Sequence, residues 1–139
     1  MMKRLLLIPL LLALGACQKE DSAAPPKVDG VQTLDAAQTE AFWQNPRAFM
    51  GKRIAVRGYL MFEDHNRNLF ATPLWDKDWN TGRCVSVSAP DANSKAAKDA
   101  TEKNATEVWL IGKMAQIVPE DELSFDSCRK VGIVAESVR

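Results

Sequence analysis

The chain is expected to fold as a mainly β domain with two helices: a small five-stranded Greek-key barrel of order β-β-β-α-β-β, preceded by a helix. Three observations predict this. Apolar residues alternate with period 2 in five segments, beginning near residues 54, 69, 83, 107 and 130, so every second side chain lies on one face. Helix signals are confined to residues 35–45 and 91–104. Gly58 and Gly112 interrupt two of the apolar strands at mid-length, where a small closed sheet must coil tightly.

Asp35 opens the first helix as its N-cap, and Gln38, three residues on, completes a capping box. Ala37, Ala41, Phe42 and Trp43 form its apolar stripe, Pro46 ends the regular pattern, and residues 46–50 allow one further turn before Gly51-Lys52. In the first strand Ile54, Val56, Gly58, Leu60 and Phe62 share one face, with Arg57, Tyr59 and Met61 on the other. The polar run Glu63 to Asn68 reads as a turn, and a second strand from Leu69 to Thr72 completes a hairpin. A loop from Pro73 to Gly82 leads to a third strand, Arg83 to Ser88, with Val85 and Val87 on one face. The polar, Ala-rich stretch 91–104 reads as the second helix, capped by Asp91. From Glu107 to Met114, residues Val108, Leu110, Gly112 and Met114 alternate with Trp109 and Ile111. After the loop 115–129, a last strand runs from Lys130 to Val138.

The segment Asn45-Pro46-Arg47-Ala48-Phe49-Met50-Gly51-Lys52-Arg53-Ile54-Ala55-Val56-Arg57-Gly58-Tyr59-Leu60 resembles the opening of many bacterial OB-fold domains. In those a proline and an aromatic precede Gly-Lys, an aliphatic strand and a mid-strand glycine. The resemblance covers about residues 42–139. It implies a partly open barrel with a helix plugging one end, and it implies no activity, because fold alone does not name one. Another small all-β barrel or sandwich, lipocalin-like or immunoglobulin-like, is the alternative, and the strands are too few for it.

Lys3 and Arg4 precede a ten-residue apolar run, Leu5 to Leu14, broken only by Pro9. Ten residues are too few to span a bilayer, which takes about 20 helical residues. The run ends in Leu14-Gly15-Ala16-Cys17, which resembles the lipobox of bacterial envelope lipoproteins. The resemblance implies a signal peptide over 1–16, cleaved before Cys17, and a diacylglyceryl group on the Cys17 thiol. Two chains suffice for stable anchoring where one acyl chain binds only reversibly. Gln18 stands where aspartate would favour inner-membrane retention, so the expected location is the outer membrane, with the domain facing the periplasm. An ordinary signal peptide with an incidental cysteine is the plainer alternative. Residues 17–30, with Pro25-Pro26 and no apolar periodicity, read as a lipidated tether to a domain at 31–139.

The remaining two cysteines, Cys84 and Cys128, are expected to form a disulfide in an exported protein, with two free thiols as the alternative, there being no Cys-x-x-Cys to suggest a redox role. Without Lys3 and Arg4 the chain from Cys17 on carries 16 basic against 18 acidic residues, a net charge of −2. That leaves no basic footprint for nucleic acid. His65 is the only histidine and falls in a predicted turn, so multi-histidine zinc sites lack parts. Neither a phosphate loop nor a dinucleotide fingerprint is present. The expectation is a protein that is not an enzyme and takes no cofactor.

Two loops carry the candidate ligand-binding residues. In Pro73 to Gly82, Trp75 and Trp79 flank Asp76 and Asp78; the tryptophans suit either a platform for a sugar, peptide or protein, or packing over the barrel edge. In Pro119 to Ser127, Glu120, Asp121, Glu122 and Asp126 stand without a base, a charge that repels phosphates and suits a cationic peptide, a basic protein patch or, though without EF-hand spacing, a calcium ion, or simply a solvated loop. The leading expectation is a lipid-anchored binding module holding a protein or small ligand at this rim. The alternatives are an inhibitor or immunity lipoprotein against a cell-wall hydrolase, and a passive envelope component.

Overall fold

The computed structural model describes residues 24–73, 82–124 and 127–139. In chain order the elements are β1 (Gln32–Thr33), α1 (Ala36–Gln44), a 3-10 turn (Pro46–Phe49), β2 (Arg53–Glu63), β3 (Asn66–Phe70), β4 (Cys84–Ser88), α2 (Lys95–Glu102), β5 (Thr106–Gln116) and β6 (Val131–Val138). The five strands expected from the sequence are β2 to β6, and they close. β2 pairs antiparallel with both β3 and β5, β3 pairs with β4, β4 runs parallel to β6, and β6 returns antiparallel to β5. This is a closed five-strand barrel with the strand order and intervening helix of an OB-fold. Closure leaves no free strand edge in the barrel to recruit another chain.

The inward faces follow the alternation in the sequence. Ile54, Val56, Leu60, Leu69, Leu110 and Ile133 are all inaccessible to solvent. Phe42 and Phe49 add an edge-to-face aromatic contact at 5.4 Å between ring centres. α2 packs on β6 and β2. Its buried side chains are Ala96, Ala97 and Ala100, small enough to bring the helix axis close to the sheet.

Several boundaries differ from expectation, each for a local reason. β3 begins at Asn66 and ends at Phe70, not Leu69 to Thr72, and the turn shrinks to Asp64-His65. Backbone pairing runs to the hairpin tip (Phe62 with Arg67, Glu63 with Asn66), and the Arg67 guanidinium lies over the Phe62 ring at 4.9 Å. Polar side chains therefore disguised a strand. The cap of α2 is Ser94, whose hydroxyl accepts from the Ala97 N–H. Asp91, upstream of that cap, instead accepts from the Asn93 N–H two residues on, forming a turn before the helix. α1 has the expected capping box between Asp35 and Gln38, but it buries only Phe42 and Trp43; Ala37 and Ala41 are exposed, since a nine-residue helix offers the barrel a narrow face.

β1 was not legible in the sequence. Its two residues pair parallel with Ile54 and Ala55 of β2. Together with Val28 and Val31 they cover the outer wall of the barrel, where Ala55, Trp109 and Ile111 form a second apolar cluster. Pro26 is buried, and its carbonyl accepts from the Thr33 hydroxyl at 2.5 Å. Residues 26–30, though they read as tether, thus lie against the barrel.

Two glycines are required by close backbone approach. A Cβ at Gly132 would lie 2.0 Å from the Ser86 carbonyl oxygen across the parallel β4–β6 pair, and one at Gly112 would lie 2.2 Å from that of Val134. Gly112 also marks the register shift between β5 and β6, the irregularity that lets the sheet curl closed. Cys84 and Cys128 are bonded, with Cα atoms 6.1 Å apart and a sequence separation of 44. The bond ties the start of β4 to the end of the β5–β6 connection.

Candidate functional site

An OB barrel ordinarily offers ligands the outer face of the strands corresponding to β3 and β4, flanked by the hairpin loop and the β5–β6 connection. The register places Leu69 and Val85 inward, so Asn68 and Phe70 of β3 and Cys84 and Ser86 of β4 point outward. All four are nevertheless buried. The β5–β6 connection folds back over them. The Cys128 N–H donates to Asn68 Oδ1 at 2.7 Å, the Ser86 hydroxyl donates to the Arg129 carbonyl, and Arg129 donates to the carbonyls of Cys84 (3.0 Å) and Gly82 (2.7 Å). With the disulfide these bonds hold the connection on the face that a ligand would otherwise use.

The acidic loop is less bare than its sequence. Glu120 accepts from Arg47 Nη2 at 2.5 Å and from Gln116 Nε2 at 3.3 Å, with Lys130 Nζ at 4.0 Å. The hydrogen bond from Arg47 holds its carboxyl below the usual carboxylate range. These cations come from the 3-10 turn and from the residue before β6, so no local reading of residues 119–127 reveals them. Asp121 and Glu122 are exposed, and Leu123 is 88% exposed beside them. The structure thus brings Glu120 into the barrel's own ion pairs and leaves Asp121 and Glu122 at the surface. Cys17, Trp75, Asp76, Asp78 and Trp79 lie outside the described residues. His65 is exposed in the two-residue hairpin turn. Among the described residues no group of three or more His, Cys, Asp or Glu side chains is placed to hold a metal ion, and no helix is long and apolar enough to cross a membrane.

A concave site lies elsewhere, between α1 and the outer wall of β2 and β5. It is a groove of about 500 Å³ whose apolar lining includes Leu34, Trp43, Ala71 and Trp109. Arg57 and Arg83 stand at its margin, and each is matched by a carboxylate. Arg83 donates through both terminal nitrogens to Glu40 of α1, at 2.8 and 2.6 Å. Arg57 Nε lies 2.7 Å from Glu107. The Arg83 hydrogen bond lowers the Glu40 carboxyl, and the same bond raises the Arg83 guanidinium. Burial raises the neighbouring Tyr59 phenol. A bidentate Arg–carboxylate pair fixes both planes. It also fastens α1 to the residue before β4, at the edge of the groove.

Sequence reasoning named none of these groove residues as a site. In sequence Trp43 belongs to a helix stripe and Trp109 to the alternate face of a strand. The available signal was Trp109 with Ile111: two large apolar side chains on the face of β5 that a half-solvated strand would leave polar, which implies a cover and hence a crevice at its edge. No protein-family model, curated protein or solved structure matches this chain.

Proposed function

We propose that this protein is a lipid-anchored, periplasm-facing binding module of the bacterial envelope, and that its ligand site is the groove between α1 and the β2–β5 wall. The observation that carries the reading is the groove itself. It is concave and largely apolar, with a few polar groups held in fixed pairs, the character of a preformed ligand site. Asp35 and Glu40 balance Arg57 and Arg83 among the lining charges. The site therefore suits a ligand without strong net charge, such as an apolar side chain or short peptide segment of a partner. The groove is preferred to the acidic loop, whose Asp121, Glu122 and Leu123 stand exposed; Trp75 and Trp79 lie outside the described residues. The lipobox Leu14-Gly15-Ala16-Cys17 supports the anchoring.

Two experiments test the two halves separately. Labelled palmitate is expected to mark the wild-type chain and not Cys17→Ser; an unlabelled wild type overturns the anchoring. A photoreactive residue at Thr39 or Ala71, in the groove lining, is expected to trap a discrete partner in living cells, whereas one at Lys98 on α2 does not. Equal trapping from all three positions, or none from the groove, removes the groove from consideration. A second reading, inhibition of a cell-wall hydrolase, rests on exposed Leu123 between Glu122 and Ser124 on the acidic loop. It predicts salt-sensitive inhibition of a lysozyme-like enzyme, lost in Asp121→Asn/Glu122→Gln. Full enzyme activity at low salt counts against it.

A further inference from the structure

The 3-10 turn and the start of β6 enclose a second, smaller cleft of about 220 Å³, lined by Gln44, Asn45, Arg47, Arg129, Lys130 and Val131 along with Pro46. Every charged residue in this lining is cationic. Among the described residues the carboxylate set against them comes from outside the lining: Glu120, whose carboxylate is bound by Arg47 at 2.5 Å and lies 4.0 Å from Lys130 Nζ, while that ammonium donates to the Glu120 backbone carbonyl. Arg129 spends its Nε and Nη2 donors on the Cys84 and Gly82 carbonyls, which fixes its guanidinium at the cleft wall. Arg47 and Glu120 are 56% and 61% exposed, so their pair is weakly held and open to exchange.

We propose that this cleft is a binding site for a phosphate group, and that the Glu120 carboxylate is a built-in competitor occupying the Arg47 donor until a doubly charged anion displaces it, while Lys130, held at the cleft by its bond to the Glu120 backbone carbonyl, adds a second positive charge. The arginine fork matches a phosphate as well as it matches a carboxylate. Phosphate also brings more charge to the same donors than the single carboxylate it replaces. Arg47 and Lys130, brought to one cleft from the 3-10 turn and the residue before β6, distinguish it from the acidic loop beside it, where phosphate is repelled. The site is separate from the apolar groove and does not depend on it.

The test is a titration of the ¹⁵N-labelled full chain, in micelles of an uncharged detergent, with inorganic phosphate and then with glycerol 3-phosphate. Saturable shifts of the Arg47, Lys130 and Val131 amides are expected. Glu120→Gln is expected to tighten the phosphate Kd by about fivefold, the factor one unit charge contributes at roughly 4 Å in water. Misfolding cannot produce such a gain. Arg47→Gln/Lys130→Gln is expected to weaken binding at least tenfold. Tighter binding of glycerol 3-phosphate than of inorganic phosphate assigns the site to phospholipid-type headgroups; equal binding assigns it to free phosphate. Shifts that never saturate, a Kd unmoved by Glu120→Gln, or unchanged binding in the double variant would each mean an adventitious ion only, and would overturn the proposal.

Discussion

Reducing the Cys84–Cys128 bond perturbs the domain without changing its sequence, and the expected cost follows from the loop it closes. The two cysteines lie 44 residues apart. The chain-entropy model, −2.1 − 1.5R ln n, gives about 13 cal/mol/K for such a loop, or about 4 kcal/mol at 25 °C. A small domain has roughly 5–15 kcal/mol in total. Reduction should therefore lower the melting temperature by about 15 °C or more. The loss is expected to act on the unfolded chain, because the native contacts around the bond are multiple and none of them runs through the sulfurs: Cys128 N–H to Asn68, Ser86 to Arg129, and Arg129 to Cys84 and Gly82.

That distinction is measurable. Urea unfolding of oxidised and reduced protein should show a lower midpoint on reduction together with a steeper slope, since the open chain exposes more surface when it unfolds. Amide shifts in the native state should change only near residues 84–86 and 127–130. A stability loss under about 1 kcal/mol would refute the loop-entropy argument. Native-state changes spreading to β2 or β5 would instead show that the bond shapes the fold itself.

Three further outcomes follow from the same structure. Asp35→Ala removes one half of the capping box at an exposed site and should cost about 1 kcal/mol in urea unfolding; no change would mean the cap is dispensable. Gly132→Ala drives a Cβ to 2.0 Å from the Ser86 carbonyl and must part β4 from β6, so a loss of about 3 kcal/mol or more is expected, and a loss below 1 kcal/mol would contradict the close approach. The Glu136 carboxyl is lowered chiefly by its bidentate hydrogen bonds from Arg53, at 3.0 and 2.7 Å. Its folded value lies below its unfolded value of about 4.3. The contribution is thus complete above that range and is lost as pH falls through the folded value. Glu136→Gln should flatten the acid limb of a stability–pH profile; an unchanged limb would remove Glu136 from the balance.

The barrel was legible because its core obeys a period the sequence states openly. Ile54, Val56, Leu60 and Phe62 alternate on one strand, and all are buried. The capping box at Asp35–Gln38 was legible for the same reason: a local rule read from local residues. What escaped depends on partners far away in sequence. Gln32 and Thr33 become a strand only because Ile54 and Ala55 offer a ladder. Asn66 and Arg67 look like a turn until Phe62 and Glu63 pair with them. Glu120 reads as a free acid until Arg47, 73 residues earlier, closes on it. The groove failed to show for the same cause, since Glu40 and Arg83 meet across 43 residues.

The N-terminal segment joins the placement of the domain to its groove. Val28 and Val31 pack on Ala55, Trp109 and Ile111, and Arg53 donates both to the Asp29 carbonyl and to Glu136, so the chain enters the fold along the β2–β5 wall. Trp109 belongs at once to that cluster and to the groove, and Pro25 lines the groove directly. With Cys17 lipidated as proposed, Pro25 lies eight residue steps from the anchor, and covalent geometry caps that reach at about 29 Å. The groove then opens within that distance of the membrane surface, on the side of the barrel where the tether arrives. A partner using it must therefore itself sit at the membrane or present a segment close to it. A ligand diffusing freely in the periplasm would gain nothing from a site held so near the lipid, which makes envelope-bound proteins the class to search first.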